Sequence, residues 1–537
     1  MMGIPKIVQH NRTRILTVDE KPFIMLAGEV HNSNASSPEY MESVWEKAVS
    51  LGMNSLLLPV SWEMIEPEEG CFDFSVVDAL IAQARIRKMK IGLLWFGSWK
   101  NAQCSYAPAW VKTNLTRFWR TEVEKGKTRV HLKGFYGMDY ASLSYLCEET
   151  MHADAKAFAT LMRHIREFDE QEKTVVTVQV ENEVGILGES RERSDLADQL
   201  FEGAVPQGLV DYLRSHTDSM VKDVRNAVLS GRASGSWSEV FGPVAEEVFS
   251  AYHFASYINT VAAAGKEQYP LPMTVNCWLD KGDAPGKYPS GGPVARMMEV
   301  WQYAAPTIDV FAPDIYVPYF CDVCDEYTKN ENPLIIPETA TYAYAGPRLV
   351  YAVGHYHAIC YAPFGFEEMG RPFTNLQAFL YGVDTSDPAL GTPQNTEEYA
   401  WYSNALHEMM PLLTKAYGTD DLQAVCYERR EQNLMDFGSY RFRVVLEQPG
   451  RIQRNDGVCL ALKGSENEFY LMACGCVIEF KSGDMTKPHV DQLLLEEGMF
   501  RDGIWHATRR LNGDEGGAQN VEKPTLLHVK LFAYGDL

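Results

Sequence analysis

The sequence has no run of 18 apolar residues, so nothing in it reads as a membrane-spanning helix. Its N-terminus, Met1-Met2-Gly3-Ile4-Pro5-Lys6, offers no apolar stretch of signal-peptide length and no small-residue cleavage site. Positive charge is scarce: 49 Lys and Arg stand against 72 Asp and Glu, giving a net charge of −23. So acidic a chain disfavours nucleic acid and anionic membrane as partners and favours a neutral or cationic ligand. The 11 cysteines are odd in number and scattered, which argues against a disulfide framework and for reduced thiols in a cytoplasm. Internal repeats, low-complexity tracts and long charge runs are lacking too.

What is present is a large apolar complement, 46% of 537 residues, enough to bury a sizeable core. Over the first 400 residues, short β-branched runs alternate with helical patterns, the signature of a parallel sheet with crossover helices. Eight runs qualify as strands: Phe23–Val30, Ser55–Val60, Ile91–Phe96, Val175–Glu181, Leu271–Asn276, Ile308–Ile315, Leu334–Glu338 and Ile359–Phe364. Eight strands close a (β/α)8 barrel. Ser37, Pro38 and Glu39 start the first helix well, and Met41, Val44, Trp45 and Ala48 recur at helical spacing behind them. Thr396–Tyr417 supplies the eighth helix.

The expected division is a barrel over residues 1–418 and an antiparallel β-sandwich over 419–537, where strand-like runs alternate with Gly, Asn and Asp turns. Two connections are long, 97–151 and 184–270, and both follow the C-terminal ends of strands. That is the side on which barrels build their sites. The Arg-rich piece Glu189–Arg193 reads as a solvated face.

Two glutamates end apolar strands. Glu183 closes Val175-Val-Thr-Val-Gln-Val-Glu-Asn-Glu183, and Glu338 closes Pro333-Leu-Ile-Ile-Pro-Glu338. A retaining glycosidase needs two carboxylates about 5 Å apart, one as nucleophile and one as acid/base. Alternation along the strand cannot choose between Glu181 and Glu183, because strand ends twist and bulge. Tyr316, one strand away from Glu338, can donate a phenolic hydrogen bond to it, and Tyr342 is a rival for that role. Cys321-Asp-Val-Cys324 has no second pair or histidine at zinc spacing, so buried thiols are its default reading. No metal site is expected.

The combination resembles clan A of the glycoside hydrolases, and more narrowly family 35, the β-galactosidases. Lys21-Pro22-Phe23 leading to Ala27-Gly28-Glu29-Val30-His31-Asn32 resembles that family's opening strand. Trp62 with Glu66-Pro67-Glu68-Glu69-Gly70, followed by Phe72-Asp73-Phe74, is similar to its second-strand motif. Gln179-Val180-Glu181-Asn182-Glu183-Val184-Gly185 is close to its acid/base signature.

Two elements depart from the pattern. Glu29 stands where the family has a small residue, and Gly97-Ser98-Trp99-Lys100-Asn101 replaces an Ala-Glu-Trp element on strand three. The chain better resembles a bacterial subgroup with a short C-terminal β-domain, some of whose members act on xyloglucan side chains.

The resemblance implies a retaining exo-β-galactosidase acting on oligosaccharides, without cofactor. Glu338 would be the nucleophile, and Glu183 the acid/base, its proton favoured by the nearby Glu338 charge. Asn182 would hold the sugar 2-hydroxyl and Tyr316 would orient Glu338. Glu29, Asn101 and Asn276 would bind other hydroxyls, with Trp99 and Trp278 as ring platforms. Two alternatives stand beside it: the same machinery on a β-arabinoside or β-fucoside, and a non-catalytic sugar-binding barrel. Oligomeric state, including a homo-oligomer, stays open.

Overall fold

The computed structural model describes residues 3–131, 139–375, 377–378, 386, 391–447, 455–515 and 519–536. Residues 132–138 of the first long connection lie outside this set. Eight strands form a closed barrel: Met25–Glu29, Ser55–Ser61, Lys90–Lys100, Val175–Asn182, Met273–Cys277, Val310–Ile315, Ile335–Thr339 and Cys360–Pro363, called here strands one to eight. Each strand neighbours the next, and strand eight returns to strand one, with Cys360 opposite Met25 and Tyr361 opposite Leu26. Every residue of strands four, five, six and seven is buried, as expected for parallel strands covered on both faces. All eight expected strands are present, with ends moved by a few residues.

The first crossover helix runs Pro38–Ser50. Ser37 Oγ accepts the Tyr40 amide at 3.2 Å, which satisfies one of the free N–H groups of the first turn. Met41, Val44, Trp45 and Ala48 are all buried. Burying a Val or Met side chain contributes about 1.5–3 kcal/mol, so the stripe fixes which face meets the barrel. The helix is followed by Gly52 at φ +71°, a left-handed residue that a Cβ would strain. The last helix, Thr396–Ala416, starts on Asn395, whose Oδ1 accepts the Glu398 amide at 3.0 Å.

The connection after strand four is shorter than expected. It contains the helices Asp195–Glu202, Gln207–Ser215, Lys222–Ser230 and Trp237–Phe241, but Ala245–Gln268 is the crossover helix itself. Its Arg-rich start is not a solvated face. Arg191 is buried against Asp198 at 2.7 Å, and Arg193 bonds both Glu189 and Glu246. Cys321 and Cys324 are buried on the helix Phe320–Tyr327.

Beyond Leu422 the strands are antiparallel and form a six-stranded and a four-stranded sheet. Phe442, Val444 and Ile478 of one sheet share a core with Phe469, Leu471 and Val529 of the other, which makes a sandwich. The strand His489–Arg501 had no sequence signal. It carries Asp491, Gln492, Glu496 and Glu497, and only Leu495 and Phe500 on it are buried. Among the described residues, no helix is long and apolar enough to cross a membrane.

By internal contacts the chain divides into two compact units. One is built mainly on Leu57–Ile315 and carries strands three to six. The other is built mainly on Tyr316–Leu537 and carries strands seven and eight with the sandwich.

Candidate active site

In the first unit, the end of strand four breaks the alternation that the sequence could not resolve. Glu181 and Glu183 both have positive φ, +63° and +47°, with Asn182 between them. Left-handed backbone at a non-glycine residue costs on the order of 1–3 kcal/mol each, and such strain concentrates at working sites. The two glutamates consequently have different surroundings.

Glu181 turns into the protein. Its carboxylate accepts the amides of Ser98 at 2.9 Å and Trp99 at 2.7 Å, so it straps strand four to the end of strand three. Room for this comes from Gly97, where a Cβ would lie 2.4 Å from Glu181 Oε1. Burial, and then the adjacent Asp154, push Glu181 well above the ordinary carboxylate range. Asp154 is held in turn by Trp95 Nε1 at 2.9 Å, Ser98 Oγ at 2.7 Å and the Tyr257 hydroxyl at 3.2 Å. This is a buried polar network with no face to a ligand.

Glu183 is held through its backbone. Its amide donates to Asn276 Oδ1 at 3.0 Å, and its carbonyl accepts the Ala102 amide at 3.1 Å. Asn276 Nδ2 donates onward to Asp314 Oδ2 at 2.9 Å. Asn276 thus bonds the protein from both ends of its amide and links the Glu183 backbone to Asp314. Carboxylate oxygens of Glu183 and Asp314 come within 4.8 Å of one another, and both residues are buried. Two carboxylates that close disfavour being ionised together. Asp314 went unread in the sequence, although it lies in Pro313-Asp-Ile-Tyr316, a polar residue inside an apolar strand end.

The remaining first-unit residues separate clearly. Asn182 Oδ1 accepts Lys100 Nζ at 2.8 Å. Asn101 sits at φ +52°, and its Oδ1 is buried with no hydrogen-bond partner among the described residues. Trp278 is half-buried against Ala102, Tyr140 and Leu187. Trp99 corrects the expectation of a ring platform. It is fully buried, its indole N–H donates to Ser142 Oγ at 2.8 Å, and Phe254 and Tyr257 pack on its ring.

In the second unit, Glu338 lies at the C-terminal end of strand seven, 4% exposed. The Tyr316 hydroxyl donates to Glu338 Oε2 at 2.7 Å. Tyr342, the rival, is fully buried and its hydroxyl accepts from Arg348 instead. Glu29 is the last residue of strand one and is fully buried, its carbonyl accepting the Gly365 amide at 2.8 Å. Its charge adds to burial in raising the Cys360 thiol on strand eight. Tyr316, Tyr344, Phe364 and Phe373 gather half-buried around Ala340 and Tyr342, an aromatic wall the sequence reading missed. Phe364 directly follows strand eight, and that position was the available signal.

The family model described as "Glycosyl hydrolases family 35" matches residues 15–132, the segment of strands one to three. The chain resembles glycoside hydrolase family 35. A second model, "Domain of unknown function (DUF5597)", matches residues 402–521. A β-galactosidase of Xanthomonas manihotis is 29% identical over 172 residues, which is 31% of this chain and 25% of that protein. The chain thus matches about a quarter of that curated relative's length. Among solved structures, a β-galactosidase from Rahnella sp. R3 has 15% identity and a TM-score of 0.46, over 73% of this chain and 57% of that one. One from Bacillus circulans sp. alkalophilus has 14% identity and a TM-score of 0.43, over 64% and 50%. The family 35-like stretch contains Glu29 and the Trp62 to Phe74 motif, whereas Glu183 and Glu338 lie outside it.

Proposed function

We propose that the chain is a retaining exo-β-galactosidase that removes terminal β-galactosyl residues from oligosaccharides, with xyloglucan side chains as one source. The observation that carries this reading is the Tyr316 hydroxyl at 2.7 Å from Glu338 Oε2. A phenol there fixes the rotamer of a carboxylate at the end of a barrel strand, so that the other oxygen can attack. In a parallel barrel all strands point their C-terminal ends to one mouth. Glu183 follows strand four and Glu338 lies on strand seven, each at the strand end where a barrel carries its chemistry.

Glu338 attacks the anomeric carbon while Glu183 gives its proton to the departing oxygen, leaving a covalent glycosyl-enzyme. Glu183 next takes a proton from water, which attacks the same carbon and releases sugar of retained configuration. Asp314, close to Glu183, makes a proton on that pair favourable when substrate arrives. Asn182 and Asn101 hold hydroxyls, the latter through its unpartnered Oδ1, which a sugar O–H can satisfy. Residues 1–418 form the catalytic part in this reading, and a reducing cytoplasm fits the 11 free thiols.

The test is a panel of nitrophenyl glycosides on purified protein. Turnover of the β-galactoside above the β-arabinoside and β-fucoside is expected. Preference for either of the others reassigns the sugar, and no turnover of any leaves a binding barrel. Glu29 is proposed to grip two adjacent galactose hydroxyls, a role that charged acceptors fill at about 1.5–3 kcal/mol per bond. Glu29→Gln should lower kcat/KM on galactosides at least tenfold with little change in Tm. A collapsed Tm with unchanged kcat/KM per folded molecule would make Glu29 structural.

A further inference from the structure

A cavity of about 430 Å³ opens in the first unit beside the end of strand two, within the usual range of small-molecule sites. Asn32 and Ser61 line it from the segments after strand one and at the end of strand two, and Tyr106 from the connection after strand three. Glu63, Asp73 and Val76 complete the part that matters here. Its chemistry is selective. None of its lining residues is a lysine or arginine, so a phosphate or carboxylate has no counter-charge among them. Glu63 is already balanced by Lys112 Nζ at 3.1 Å, and Asp73 accepts the Ser75 amide at 2.9 Å. Asn32 Oδ1 is buried with no hydrogen-bond partner among the described residues. Hydroxyls, an amide, an apolar floor and a half-buried tyrosine ring suit a neutral polyhydroxylated ring.

Packing also links the cavity wall to the residue that precedes Glu183. Tyr106 packs on Phe96 at 5.1 Å between ring centres, Lys100 Nζ lies 5.1 Å from the Phe96 ring, and the same Nζ bonds Asn182 at 2.8 Å. Asn182 precedes Glu183. An acid/base stands on the leaving-group side of the bond it cleaves, so a site reached through it receives what departs. We propose that this cavity is a leaving-group subsite that holds a neutral sugar unit of the oligosaccharide beyond the galactosyl residue. This rests on the galactosidase reading above, and it implies that discrimination among natural substrates resides here.

Two variants test it. Asn32→Ala removes the unpartnered acceptor, and Val76→Trp fills the floor. Each is assayed on para-nitrophenyl β-galactoside, on galactotriose and on a galactosylated xyloglucan oligosaccharide, with Tm measured alongside. The expected result is an approximately tenfold drop in kcat/KM on at least one oligosaccharide, mainly through KM, with the nitrophenyl substrate unchanged. Equal effects on all three substrates, or none, overturn the subsite. If the wild-type chain hydrolyses none of them, the catalytic reading fails separately. The subsite is then judged by calorimetric titration of galactotriose, where binding lost in Val76→Trp supports it and absent wild-type binding overturns it.

Discussion

Glu338→Gln should leave a folded protein that binds galactosides and forms no glycosyl-enzyme. An amide matches the carboxylate in shape and still accepts the Tyr316 hydroxyl, so Tm should hardly move. It cannot donate an electron pair to the anomeric carbon as a carboxylate does, and loss of one catalytic group of this kind costs roughly 10³-fold or more in kcat. In Glu338→Ala, which opens the space the carboxylate filled, azide should restore turnover and give a galactosyl azide of inverted configuration. Tyr316→Phe should cost less, because it frees the rotamer of Glu338 without removing the nucleophile. A Glu338→Gln protein that keeps more than a tenth of wild-type activity takes Glu338 out of the role.

The barrel was legible because its strands are buried on both faces and its helices on one. Val175–Asn182 and Ile335–Thr339 are largely apolar, buried strands, and the carboxylates at their C-terminal ends, Glu183 and Glu338, stood out against them. The Tyr316 to Glu338 bond was legible for the same reason, since neighbouring strand ends are one strand spacing apart. Backbone conformation at the strand ends was not legible. Positive φ at Glu181 and Glu183 turns one side chain toward Ser98 and leaves the other beside Asp314, and residue type alone gives no sign of it. Trp99 shows a second limit. Its position at the end of strand three suits a sugar platform, but Phe254 and Tyr257 come from a helix far away in sequence and cover it. In the sandwich, exposed strands such as Ile504–Arg510 carry no apolar alternation to read.

Glu183→Ala should separate the two steps that Glu338→Gln abolishes together. A nitrophenolate leaves without a proton, so the first step on an activated galactoside should proceed and the covalent intermediate should build up. Its hydrolysis needs a base for water, so the second step slows, and kcat and KM should fall together. An oligosaccharide leaves as a poor alkoxide, so its first step should lose the full contribution of the acid, typically 10²–10⁴-fold. Azide should accelerate release from the intermediate and give a product of retained configuration, the opposite of its product with Glu338→Ala. The Glu181→Gln control should behave differently. Its carboxylate holds two backbone amides of strand three, so the change should lower stability by about 1–3 kcal/mol while sparing the ratio of activated to natural substrates. Equal losses on both kinds of substrate in Glu183→Ala, with no azide product, would reopen Glu181 as the candidate, which burial and then Asp154 push well above the ordinary carboxylate range.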